Sequence, residues 1–117
     1  MMSAKELKEK ISADPENWII YLMDFVDDYR YYREQTALEE AFALGDERID
    51  GIIASTIESL CCECEQSIPN WVSRVPACGK PWFVAGIENL KAIAIAQSPL
   101  HFRKRKIFVL ENFLSRC

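Results

Sequence analysis

Hydrophobic positions recur at helical spacing over most of the chain. Trp18, Leu22, Phe25, Val26 and Tyr29 fall at i, i+4, i+7, i+8 and i+11. That is one face of a 3.6-residue period and predicts a helix running to about Arg33. Ile49, Ile52, Ile53, Ile57, Leu60 and Cys64 repeat the pattern, with Gly51, Ser55, Ser59 and Glu63 between them, and Asp46 stands where an N-cap belongs. Each stripe is wide enough to need a cover, so the two should pack on each other. Shorter elements surround them. Ser3 and Glu6 have capping-box spacing at the head of a helix over 4–11. Asp14 and Pro15 supply the cap and the N1 proline of the helix that follows. Thr36 and Glu39 open a turn through Leu38 and Phe42, which Gly45 ends.

Pro69, Pro76, Gly79 and Pro81 break regular structure over 67–84, a long connection for a small chain. The segment is not polar: Trp71, Val72, Trp82, Phe83 and Val84 must either fold back onto the core or face a partner, and the sequence leaves both open. Ile87, Leu90 and Ala94 predict a helix to about Gln97, and Ser98 with Pro99 restarts one. Ile107 to Leu110 are β-branched and aromatic, but one strand has nothing to pair with, so an edge extension or a homodimer contact is the expectation. The pattern as a whole predicts an all-α fold, a compact single-domain bundle of about four to six helices over 1–117.

At 117 residues the chain has one domain's length, and its four glycines and five prolines exclude collagen-like and disordered classes. It has no apolar run near the ~20 residues that cross a bilayer and no signal-peptide stretch at its start, so a cytoplasmic protein without membrane contact is expected. Charge changes the picture more. Residues 1–66 hold sixteen acids against six bases, and residues 67–117 hold two against eight. An acidic front and a basic tail suggest either attraction within the fold or an oriented contact with another macromolecule. The densest basic run is Arg103, Lys104, Arg105 and Lys106, a candidate for phosphates or for an acidic protein surface.

Reactive chemistry is thinly represented. Cys61 and Cys64 make one C-x-x-C pair, whereas a zinc site commonly needs two, and Cys78 and His101 lie at irregular distances. The pair falls near a helix C-terminus, where the dipole opposes a thiolate, so small buried hydrophobes are the favoured reading over a thiol or metal site. His101 is the chain's one histidine and has no nearby acid in sequence to orient it. The adjacent pairs Asp27 with Asp28 and Glu39 with Glu40 point different ways around a helix. No phosphate-loop, dinucleotide or zinc-protease motif occurs. A non-enzymatic protein without a cofactor is expected. Aromatics are the better lead: Tyr29, Tyr31 and Tyr32 with Arg30 and Arg33, and Trp71 and Trp82, are hot-spot residue types.

The C-terminal third carries an ordered set: Pro69 and Trp71; Pro81, Trp82 and Phe83; Leu90 to Ala96; then Pro99, Phe102, Arg103, Arg105, Ile107, Phe108 and Leu114. This set resembles the C-terminal region of bacterial, especially actinobacterial, Xre-type helix-turn-helix regulators. The G-D-E-R-I-D at 45–50 is similar to the start of that region. The resemblance implies an antitoxin-like, partner-facing module and, as partner, a nucleotidyltransferase-like toxin encoded nearby. It implies no catalytic residue. Residues 1–45 depart from the pattern, being acidic and aromatic where a basic DNA-reading helix belongs. The expected function is therefore protein binding through Trp71, Trp82, Phe83, Arg103, Lys104 and Arg105. Alternatives are a nucleic-acid-associated regulator using the 103–106 cations, and a thiol or metal protein using Cys61, Cys64 and Cys78.

Overall fold

The computed structural model describes residues 2–33, 35–42, 44–84, 95, 98 and 100–109. The helix expected over 87–97, residue 95 apart, and the end of the chain lie outside them. Helix α1, Ala4–Ala13, starts at Ser3, whose Oγ accepts the Glu6 N–H at 3.1 Å, and buries Ala4, Leu7 and Ile11. A 3-10 turn at Pro15–Asn17 leads into α2, Trp18–Tyr32, which buries Leu22, Phe25, Val26 and Tyr29. Arg33 ends α2 in the left-handed conformation, φ 53°. After a 3-10 turn at Gln35–Leu38, helix α3 spans Glu47–Glu63, and the Asp46 carboxylate accepts from the N–H groups of Arg48 and Ile49. The fold is mostly helical, as the periodicity predicts.

Helix α3 departs from the one-sided stripe. Every residue from Asp50 to Glu58 is buried, including Gly51 and Ser55, which the pattern places on a polar face. The cause is its position: α3 touches α1, α2, the 3-10 segment Asn70–Arg74, the short helix α4 at Leu100–Arg103, and a strand at Ile107–Phe108. Elements after residue 67 cover the face that the two-helix picture leaves wet. Gly51 is where they come closest. A Cβ there would stand 2.9 Å from Ile107 Cδ1, inside van der Waals contact, so the absence of a side chain is what admits Ile107.

The lone strand has a partner after all. Trp82–Phe83 (β1) pairs in parallel with Ile107–Phe108 (β2), Trp82 opposite Ile107 and Phe83 opposite Phe108. The Trp82 N–H donates to Lys106 O at 2.8 Å and the Val84 N–H to Phe108 O at 3.1 Å. The partner lay within the proline- and aromatic-rich connection, which thus folds back: Val72, Val75 and Cys78 are buried, and Trp71, Trp82, Phe83 and Val84 are half-buried. One core runs from Met2 through α1, α2 and α3 to Val109.

Candidate functional site

Two groups of side chains concentrate the unusual chemistry: a buried ionic clamp beside α3 and an open aromatic cleft beside the 3-10 segment Asn70–Arg74. Arg105 is the centre of the clamp. It is 3% exposed and pairs with Glu58 of α3, itself buried. The Nη1 that meets Glu58 also lies 3.4 Å from both Ser55 Oγ and His101 O, while Nη2 donates to Val72 O at 2.9 Å and Nε to Val75 O at 3.3 Å. A guanidinium carries five N–H donors in a rigid fork, and this site gives the fork acceptors from three elements. Lys104 adds a second cation to Glu58, Nζ to Oε2 at 2.5 Å.

This corrects the expectation for Arg105. Arg105 is not a partner-facing cation, because it is buried and saturated by the fold. Lys104 keeps exposed surface but spends its charge on Glu58. Arg103 and Lys106 are exposed. The charge asymmetry is therefore met in part inside the molecule: Glu58 belongs to the acidic front, Lys104 and Arg105 to the basic tail. A second buried carboxylate on α3, Asp50, pairs with Lys8 of α1 and accepts the Gly45 N–H at 2.7 Å.

The thiols lie elsewhere. Cys61 and Cys78 are buried, Cys64 is half-buried and Cys62 exposed, all of them free. Burial pushes the Cys61 and Cys78 thiols above their ordinary range, and the neighbouring Glu47 carboxylate pushes Cys78 further the same way. Among the described residues, no three His, Cys, Asp or Glu side chains gather as metal ligands. His101 is shifted the other way, below 6.5, because burial disfavours its cation. Tyr29, fully buried, hydrogen-bonds to Gln66, which in turn donates to Arg33 O at 3.1 Å.

The predicted aromatics do not converge on one site. Trp82 packs against Trp18, ring centroids 5.5 Å apart, with the Arg48 guanidinium 5.7 Å from its ring. Phe83 stacks on Phe108 at 5.0 Å across the strand pair. Trp71 donates its indole N–H to Leu38 O at 2.8 Å and meets Phe42 edge-on at 5.2 Å. Beside Trp71 opens a cleft of about 180 Å³ lined by Ala41, Phe42, Leu44, Trp71, Arg74 and Val75. Leu44 is 60% exposed at its mouth. Of these residues only Trp71 was an expected binding residue. Leu44 and Arg74 gave a faint signal, an apolar and a cationic side chain on loops without periodicity to absorb them, and only the fold shows that they share a rim. Tyr31, 81% exposed, and Tyr32 meet edge-on at 4.8 Å at the end of α2.

Comparison with family models, with curated proteins and with solved structures finds no match.

Proposed function

We propose that this chain is a non-enzymatic protein-binding module, antitoxin-like in restraining a protein partner, and that the Trp71 cleft is its binding surface. The cleft itself carries the reading. Its volume of about 180 Å³ is below the ~300 Å³ at which small-molecule pockets begin. It is the scale of a pocket that accepts one anchor side chain of another protein. Its Trp71 wall is held by the indole bond to Leu38 O and by the edge of the Phe42 ring, and a wall formed before binding costs little ordering entropy. The nucleic-acid alternative loses support from the clamp, because Lys104 and Arg105 are engaged by Glu58. A partner of nucleotidyltransferase-like class, encoded nearby, remains the partner to try first.

The test is capture with two baits, the tagged chain and its Leu44→Glu variant, from cells that coexpress the neighbouring gene product. Leu44 is mostly exposed, so the variant keeps the far-ultraviolet circular dichroism of the parent. A near-stoichiometric protein on the parent and at most about a tenth as much on the variant supports the reading, a factor worth ~1.4 kcal/mol. Equal capture by both baits, or capture of nucleic acid alone, overturns it.

A further inference from the structure

Arg74 sits on the rim of the Trp71 cleft, at the last turn of the 3-10 segment, and is exposed. Three other arginines near the core are committed elsewhere. Arg30 grips Glu63 through Nε and Nη2, both at 2.9 Å, Arg48 lies over Trp82, and Arg105 is buried in the clamp. Among the described residues, no hydrogen bond or ion pair holds the Arg74 guanidinium, and no carboxylate lines the cleft. An apolar pocket rimmed by one uncommitted fork of N–H donors is complementary to an apolar side chain with a carboxylate beside it.

Resting on the protein-binding reading above, we propose that the partner enters the Trp71 cleft with an acidic segment. One large apolar side chain fills the space between Phe42, Trp71 and Val75, and an adjacent Asp or Glu carboxylate takes a bidentate bond from Arg74. The acidic character is what the site selects. The front of this chain, net −10 over residues 1–66, would repel a long acidic tract, so the geometry points to one or two carboxylates flanking the anchor rather than a polyanion.

Three short blocked peptides test the charge and the anchor separately: acetyl-Gly-Asp-Phe-Asp-Gly-amide, its Lys-Phe-Lys counterpart, and its Asp-Ala-Asp counterpart. Each is titrated into the full-length ¹⁵N-labelled chain at low salt, reading the Trp71 indole N–H and the amides of Leu44, Arg74 and Val75. The acidic phenylalanine peptide is expected to shift these signals saturably, with the alanine peptide weaker by about tenfold, since a buried aromatic ring is worth that factor, and the basic one weaker by about fivefold, since attraction at an exposed rim becomes repulsion. Arg74→Glu should reverse the preference between the acidic and the basic peptide. Equal responses to all three, saturable shifts confined to other regions, no saturable shift, or self-association of the chain that Leu44→Glu abolishes would each overturn the proposal. Natural-partner capture that depends on Leu44 but is indifferent to Arg74→Glu would overturn the acidic segment while leaving the protein-binding reading intact.

Discussion

Arg105 and Arg74 bring the same guanidinium into opposite surroundings. Arg105 is buried against Glu58, Ser55 and the carbonyls of Val72 and Val75; Arg74, on the same 3-10 segment whose carbonyls Arg105 holds, is exposed beside a cleft. In sequence the first lies in a run of four cations and looks like a ligand-binding patch, while the second stands alone. The fold inverts that impression, because a cation's role depends on whether acceptors already saturate its donors. Arg105 works as mortar between α3, the 67–84 connection and α4. Arg74 remains available.

The contrast breaks most readily at Arg105. Arg105→Ala would leave Glu58 buried with only Lys104, would take the guanidinium from the Val75 carbonyl and would leave the Val72 carbonyl with only the Val75 N–H. Removing one partner of a buried ion pair costs about 3–5 kcal/mol, so the urea midpoint should fall steeply with the slope retained. A loss under ~1 kcal/mol would return Arg105 to the list of partner-facing cations. Gly51 gives the next largest effect. Alanine gains up to ~1 kcal/mol of helix propensity, but its Cβ crowds Ile107 Cδ1, and overpacking a buried contact costs ~1–3 kcal/mol. A net loss of about 1 kcal/mol is expected for Gly51→Ala, and Ile107→Val, which removes Cδ1, should recover most of it in a double-mutant cycle.

These two sites also mark where the sequence was legible and where it was not. The caps at Ser3 and Asp46, the stripe from Leu22 to Tyr29 and the apolar spacing of α3 are local, and the periodicity found them. The burial of Gly51, Ser55, Glu58 and Arg105 depends on what α3 touches from residues 72 to 107, and no local period encodes that contact. Likewise Ile107 could not be read as a strand while its partner, Trp82–Phe83, hid among prolines. Trp71 was singled out by its residue type and by its place in the ordered C-terminal set, not by any period. Leu44 and Arg74 became part of a site only when the turn after Leu38 and the 3-10 segment met around the Trp71 indole.

A smaller effect comes from His101, whose carbonyl is one of Arg105's acceptors. Burial holds its pKa in the fold below the ordinary 6.5, so the unfolded chain binds the proton first as pH falls. Its contribution to stability is whole above about pH 6.5 and is lost as pH drops through the folded value. His101→Gln should therefore match the parent in urea titrations near pH 8 and fall less steeply as pH drops below 6.5. Curves that stay parallel below pH 6.5 would place the imidazole in water.

The smallest effect on stability is expected at Arg74, and that is what makes it informative. Arg74→Glu removes a guanidinium that no described residue holds, so the folding free energy should move by no more than about 0.5 kcal/mol. At the same position the electrostatic match to an acidic segment is reversed, which turns an attraction at an exposed rim into repulsion and should weaken partner capture about fivefold. Weakening at raised salt should be shallow in the parent, because one carboxylate, not a polyanion, is engaged. A stability loss for Arg74→Glu comparable to that of Arg105→Ala would erase the distinction between the two arginines. Unchanged stability with weakened capture would fix it: one guanidinium saturated by the fold, the other left unsaturated beside a pocket sized for a single side chain.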